Sequence, residues 1–508
     1  MSDEFEAGDI IRDAWPQPGD EALLLGNGRL LARLDAFGFP AGGLFHAEYS
    51  RENPLVNVSW EGEAPAVPKL FTQELRLVHG YCHTEMDWPN LSVTFVCYAH
   101  PEKRELFAFH LSYEVQGKGA MPPLLLTPAA SARTLQLETE FWRAEIKDGD
   151  KAALLGLNVY SSDGSAELAR QDGGVRVSFK GREGRHLLLI GAAPKLEVNA
   201  EGRRDAGGPS ASDDLLARLG SIDDPADLLE ESIDGWHRRW GDVEIELPDD
   251  AAQALYERSQ YQLLSCCSGE LLPAPAELAA LYPALLRGGH VDIVRGWAEL
   301  CGNALATLPL DAIGAVASLA RETALHLRDE NWTLEVAIPL LSAAVRRIVP
   351  FIESGKSAAP LAELKSAQQT LQAAAAMNVD LLQHGIDANA LRTLAERRAL
   401  SPEVGSDPAQ RLLSAAHSRN SAAFLEALAA CNAVHAHFSL AQHGLFVQAI
   451  NDALVSDKLM LVDANAKVEL ASACPDSWSD VRVENFRVAS GIAISGERKS
   501  GQWSWRQA

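Results

Sequence analysis

Val175-Arg-Val-Ser-Phe-Lys-Gly-Arg-Glu-Gly-Arg-His-Leu-Leu-Leu-Ile190 decides how the first part of the chain is read. Val175 to Phe179 alternates apolar and polar residues with the period of two that a half-buried strand requires. Lys180-Gly-Arg-Glu-Gly184 has turn composition, and Arg185-His-Leu-Leu-Leu-Ile190 then predicts a return strand. Working outward, Leu91-Ser-Val-Thr-Phe-Val-Cys-Tyr98 has the same β-branched and aromatic content. Residues 20 to about 200 contain many such runs, separated by Gly-rich turns and without alternating helices. That pattern predicts an antiparallel β-sandwich.

Residues 201–224 are polar and rich in Gly, Ser and Asp, the composition of a linker. Asp224-Pro225 places a cap residue before a first-turn proline and predicts a helix through Leu228, Leu229, Ile233 and Trp236. From Asp250 to about Val455, Ala, Leu, Glu, Gln and Arg dominate, and Leu361 to Met377 has near-ideal helix composition. Asp329 to Phe351 reads as another long helix, with Pro339 expected to kink or interrupt it. After Asp457, Lys458–Val462, Val481–Val483 and Gly491–Ile494 read as short strands, and Gln502-Trp-Ser-Trp505 closes a hairpin. The expected division is 1–200 as an N-terminal β-sandwich, 201–249 as a linker with a helix, 250–455 as an all-α domain and 456–508 as a small C-terminal β domain.

A chain of 508 residues suits about three domains, and 47% apolar with 22% charged residues is globular composition. The net charge of −24 repels phosphate backbones and anionic surfaces, so neither nucleic acid nor membrane is an expected partner. Mean hydropathy is −0.08, and no apolar run reaches the length of a membrane span. The opening MSDEFEAGDIIRDAW is acidic where a signal peptide is basic and then apolar, which predicts a cytoplasmic protein. Seven cysteines without a C-x-x-C pair, two of them adjacent at Cys266 and Cys267, read as reduced and buried. Eleven tryptophans point modestly towards sugar, which packs on flat apolar faces.

Several strings then carry a resemblance. Trp15 precedes Glu21-Ala-Leu-Leu-Leu-Gly-Asn-Gly-Arg-Leu-Leu-Ala32, followed by Phe71-Thr-Gln-Glu-Leu-Arg-Leu77 and Ala99-His-Pro101. Later come Leu255-Tyr-Glu-Arg-Ser-Gln-Tyr-Gln-Leu-Leu-Ser265, Ala390-Leu-Arg-Thr-Leu-Ala-Glu-Arg397 and Cys474-Pro-Asp-Ser-Trp478. In this order they resemble glycoside hydrolase family 95, the inverting α-L-fucosidases and related α-L-galactosidases. The resemblance implies a multidomain β + α protein: β-sandwich, (α/α)6-type helical barrel and C-terminal β domain. Residues 250–455 just suffice for twelve helices of about 12 residues joined by about 5, so the barrel has bare loops or lacks a hairpin.

Inverting hydrolysis needs an acid and a base roughly 6.5–9.5 Å apart. The resemblance implies a base in a string matching Phe438 and Leu440, but the Asp position falls on Ala441 and the nearby Asn on His443. Its water-positioning Asn pair would fall near His290-Val-Asp292, ahead of Trp297. Ser401-Pro-Glu403 has the form of the acid string, yet its place suits a helix first turn, and Glu353 stands where the acid belongs. The candidate catalytic residues are therefore Asp292, His443, Glu403 and Glu353, with His443–Asp292 as an acid–base pair. His290, Asp292, Trp297, His437 and His443 are the candidate substrate-binding residues.

His435, His437 and His443 also suggest first-row metal ligands, but an H-x-H spacing on a helix does not share one face, and no metal or cofactor is expected. Gly26-Asn-Gly28 reads as a tight turn and not a phosphate loop. A carbohydrate is the expected ligand. Three readings follow: a fucosidase-type hydrolase with a rearranged centre, a non-catalytic carbohydrate-binding or scaffold relative, or another six-hairpin activity such as a disaccharide phosphorylase. The last would draw on Arg287 and Arg295 for phosphate. The residues favour lost or altered hydrolysis.

Overall fold

The structure is a computed structural model that describes residues 7–17, 20, 22–50, 53–63, 65–117, 119–148, 151–171, 173–194, 219, 222, 224–354, 358–359, 361–384, 386–387, 398–399, 407–458, 467–470, 473–488 and 492–507. Helix Ala390–Arg397, Glu403, most of the 201–224 segment and most of Lys458–Val462 lie outside them. The chain divides into two compact units, Met1–Trp240 with Leu264–Cys266, and Gly241–Leu263 with Cys267–Ala508.

In the first unit, the segment from Lys180 to Gly184 does not turn back. Gly174–Pro194 is one continuous strand, β14, paired along its length with β13 (Lys151–Gln171). The correction has a local cause. Gly181 takes φ +110°, and the register shifts twice between Ser161 and Ser165 opposite, so the ribbon bends where a hairpin was expected. One edge of β14 then serves two sheets. Val175–Val177 pair with Leu124–Leu126 of β10 (Leu124–Pro128), and Glu183–Gly191 pair with β9 (Leu106–Val115).

From β9 the order continues through β8 (Leu91–Ala99), β7 (Tyr81–Trp88) and β6 (Leu70–Arg76) to β1 (Ile10–Arg12). From β10 it continues through β5 (Val56–Trp60), β4 (Pro40–His46) and β3 (Leu30–Leu34) to β2 (Leu23–Gly26), while β11 (Ser131–Leu137) and β12 (Phe141–Asp148) extend the β13 side. All these pairings are antiparallel. The core lies between the two sheets. Phe39 meets Trp60 and Phe95 edge to face at 5.1 and 5.2 Å, and all three rings are buried.

The Gly26-Asn-Gly28 turn is structural. Fully buried Asn27 donates to the carbonyls of His100 and Arg104 at 2.9 and 3.0 Å, and its Oδ1 accepts from the Arg29 and Leu30 amides at 3.0 and 2.8 Å. Arg29 pairs with the buried Glu105. The expected linker helix begins at Leu228 as α1 (Leu228–Trp240), three residues beyond Pro225, with Leu228, Ile233 and Trp236 buried. Its Trp240 indole donates to the Leu77 carbonyl at 3.0 Å.

The second unit is helical: α2 (Asp250–Cys266), α3 (Pro275–Arg287), α4 (Val291–Ala304), α5 (Leu310–Leu327), α6 (three consecutive pieces, Glu330–Trp332, Thr333–Ala337 and Ile338–Glu353), α7 (Leu361–Ala376), α8 (Pro408–His417), α9 (Ser421–Val434) and α10 (Leu440–Leu454). An inner row runs α8, α10, α3, α5, α7 by mutual packing, while α4, α6 and α9 pack outside it. Gly444 permits the closest approach in that row, since a Cβ there would stand 2.5 Å from the Ala280 carbonyl of α3. The expected interruption of the helix at Pro339 is a π turn over Thr333–Ala337, in which the Ile338 amide bonds the Thr333 carbonyl. The wider turn gives room where the proline ring would meet the Glu335 carbonyl.

The terminal sheet is antiparallel, in the order β15 (Glu244–Glu246), β20 (Val481–Arg487), β21 (Ala493–Lys499) and β22 (Gln502–Gln507). The hairpin turn between β21 and β22 is Ser500-Gly501, as the Gln502–Trp505 reading expects. Three shorter pieces and one bridge-forming strand accompany the helices: β16 (Ala358–Ala359), β17 (Arg398–Ala399), β18 (Val455–Lys458) and β19 (Lys467–Leu470).

Candidate functional site

Ser439 opens α10 as its N-cap. Its hydroxyl accepts from the Gln442 amide at 3.3 Å, and the Gln442 side chain returns a bond to the Ser439 amide at 2.8 Å. This reciprocal cap fixes the first turn, on which Ala441, Gln442 and His443 sit. Replacing Ser439 by Ala is expected to cost about 1 kcal/mol, read as a lowered urea midpoint with an unchanged slope. Immediately before the cap, His435 to His437 form a 3-10 turn, with His435 Nδ1 2.9 Å from the Asn432 carbonyl and His437 exposed.

His443 is buried, with Nδ1 3.0 Å from the Ser259 hydroxyl of α2 and its ring 5.4 Å from that of Phe438. Burial, and the nearby His435, push it down to about 4, so it is a neutral imidazole at pH 7. Gln442 Nε2 donates to Asp407 Oδ1 at 3.2 Å, and Asp407 also caps α8 by accepting from Ala409 at 3.0 Å. The ends of α8 and α10 therefore meet through side chains. Sequence reasoning missed Asp407, Gln442 and Ser259; Asp407-Pro408 carried the same cap-then-proline signal as Asp224-Pro225.

The other expected residues fall elsewhere. His290 is half-buried ahead of α4, near Gly241, and Asp292 is exposed in the first turn of α4. Trp297 is fully buried and donates its indole N–H to the Ser268 carbonyl at 2.7 Å, so it anchors the loop after α2. Glu353 is exposed at the end of α6, and Glu403 lies outside the described residues. The two arginines considered for phosphate are both engaged. Arg287 pairs with Asp452 and reaches the Val455 carbonyl at 3.3 Å, and Arg295 pairs with Glu299 at 3.0 Å. No group of three His, Cys, Asp or Glu suited to a metal occurs among the described residues.

Ala441, at the position where a catalytic base is required, is half-buried and has no group that takes a proton. The arrangement offers hydrogen-bonding groups at the joined ends of α8 and α10: the Asp407 carboxylate, the Gln442 amide and the His435 and His437 rings. These groups can hold hydroxyls.

The architecture is that of the glycosidase-like folds, with an antiparallel β-sandwich, a helical region and a small terminal sheet. Among solved structures, a provisionally named kojibiose phosphorylase from the human microbiome superposes with a TM-score of 0.70 at 10% identity, over 99% of this chain and 98% of that one. A family GH92 alpha-mannosidase from Bacteroides thetaiotaomicron gives a TM-score of 0.33 at 8% identity, over 77% of this chain and 62% of that one, too distant to argue from. The first likeness shows the fold alone. No family model matches the sequence, and no curated protein matches it. Among the described residues, no helix is long and apolar enough to cross a membrane.

Proposed function

We propose that this protein binds carbohydrate at the joined ends of α8 and α10 and does not hydrolyse it by the two-carboxylate route. The observation that carries the reading is the first turn of α10. Ala441 stands where a base is required, and the neighbouring His443 is buried, neutral and bonded to Ser259. The resemblance to α-L-fucosidases and the whole-length fold likeness to a provisionally named phosphorylase both support a sugar ligand. A phosphorylase needs one acid and a phosphate pocket; the engagement of Arg287 and Arg295 by carboxylates weighs against that pocket. His437, exposed beside the cap, contacts the sugar in this reading, while Trp297 acts from within the core.

The test uses monosaccharides and short saccharides, L-fucose and D-glucose among them, in thermal shift and calorimetric titration of the full chain. At least one sugar is expected to raise the melting temperature. His437→Ala is expected to weaken that sugar about tenfold, as loss of one good hydrogen bond does, while the unliganded melting temperature stays unchanged. Binding that ignores His437→Ala, or no binding by any sugar, overturns the proposal.

A further inference from the structure

We propose that the polar face of the terminal sheet is a second binding site, for a neutral polyhydroxylated chain such as an oligosaccharide. A cavity of about 910 Å³ is lined by residues of β15, β20, β21 and β22. That volume lies within the ordinary range for ligand sites, roughly 300–1,000 Å³. The strand registers set one polar row across the whole sheet: Glu246 stands opposite Arg482, Arg482 opposite Glu497, and Glu497 opposite Ser504. These four residues come from four strands and share one face by the period of two.

The charges in this cavity already answer one another. Arg482 bonds Glu246 at 3.0 Å and Glu484 at 2.6 and 3.1 Å, and Lys499 bonds Glu497 at 2.8 Å. With Arg506, the lining holds three carboxylates and three cations, and Asp480 and Arg498 add one of each sign. An anion would meet the carboxylates and a cation the guanidinium groups, so neither has an advantage. A carboxylate accepts about four hydrogen bonds and a guanidinium donates five, so each pair retains both donors and acceptors. Groups that donate and accept at once, side by side, are what vicinal hydroxyls satisfy.

Trp505 also lines the cavity and stacks on Trp503, with ring centroids 4.7 Å apart and planes 16° apart. Its indole N–H is buried without a hydrogen-bond partner. A flat aromatic edge beside a ladder of paired charges suits the two kinds of surface a pyranose presents: an apolar C–H face and a hydroxylated rim. Arg498 braces this part of the sheet from within, donating to the carbonyls of Pro475 and Trp478 at 2.8 Å.

The test titrates the full chain by calorimetry with maltohexaose, cellohexaose, xylohexaose and mannohexaose at low and high salt. At least one hexaose is expected to bind with an affinity insensitive to salt. Ser504→Trp, which fills the cavity from an exposed strand position, and Arg482→Ala are each expected to weaken it about tenfold, whereas His437→Ala leaves it unchanged. Should Ser504→Trp fold poorly, Glu497→Gln keeps the shape, removes one charge and is expected to weaken binding in the same direction. The proposal is overturned if no hexaose binds, if binding survives both Ser504→Trp and Arg482→Ala, or if it is lost with His437→Ala alone. A strongly salt-dependent affinity also overturns it, because it assigns the face to a charged partner.

Discussion

Acidification from pH 7 to pH 4.5 is expected to lower the unfolding free energy of this protein by several kcal/mol, a large share of the 5–15 kcal/mol typical of a folded domain. The cause is a set of buried histidines. His46, His100 and His443 lie in the interior, His110 beneath the Tyr98 hydroxyl at 3.0 Å, and burial pushes each from 6.5 down to about 4. For His46 the Arg29 guanidinium, and for His100 the Lys103 ammonium, act in the same direction. The folded chain resists protonating these rings while the unfolded chain accepts the protons. Stability is therefore complete above pH 6.5 and declines as the pH falls from there towards 4. Each depressed ring accounts for about 3 kcal/mol at pH 4, at about 1.4 kcal/mol per unit.

Asp35 opposes this trend. Burial raises its carboxyl to about 6, although the amides of Phe37, Gly38 and Phe39 lower it. The fold therefore holds a proton there between pH 6 and 4 that the unfolded chain has released, and that contribution is lost as the pH rises through 6. One opposed group offsets roughly one of the three histidines in the first unit. Urea unfolding followed by tryptophan fluorescence at pH 7, 5.5 and 4.5 measures the balance. A midpoint that falls at each step is expected; a midpoint flat across the range contradicts the assignment of these rings as buried and neutral.

Asn27→Ala is expected to destabilise the first unit by about 4 kcal/mol. The side chain satisfies four main-chain groups, and its removal leaves two carbonyls and two amides without partners in a sealed site, at about 1–3 kcal/mol for each group that stays unpaired. Asn27→Asp keeps the volume but sets a second carboxylate oxygen against the carbonyls of His100 and Arg104. It is expected to do at least as much damage at pH 7. Thermal and urea melts distinguish this from a packing effect: if Asp were tolerated and Ala were not, volume and not hydrogen bonding would be the cause.

Asn27 also explains why the string from Glu21 to Ala32 resembles a known family so closely while the catalytic strings do not. That string builds the sandwich, through a turn whose four bonds reach a second loop 73 and 77 residues away. Fold and activity lie in different residues, and this chain retains the first set. The β, α, β order was legible because composition and period report local structure: Leu91–Tyr98 is the body of β8, and Leu361–Met377 is α7. Lys180–Gly184 was misread because a bend and a reversal use the same glycine and charged residues. The long β13 partner, which decides between them, is a tertiary fact.

The site was legible in part. The three histidines near α10 were visible as a cluster, but only the structure separates exposed His437 from buried His443 and ties Gln442 to Asp407 across 35 positions. The terminal cavity had a faint signal in the alternating charges of Glu244-Ile-Glu246 and Val481-Arg-Val-Glu484. Their pairing across 236 positions is again set by sheet register.

The central claim is that a glycosidase-like fold here carries a sugar-holding surface without the two-carboxylate chemistry. The most direct measurement is chromatographic product analysis after prolonged incubation with an aryl α-L-fucoside, fucosylated oligosaccharides and α-linked disaccharides, with and without inorganic phosphate. The expected result is intact substrate in every mixture containing a sugar the protein binds. Release of free sugar contradicts the claim, decisively so if Asp407→Asn abolishes it, and a sugar phosphate formed only with phosphate contradicts it in favour of a phosphorylase.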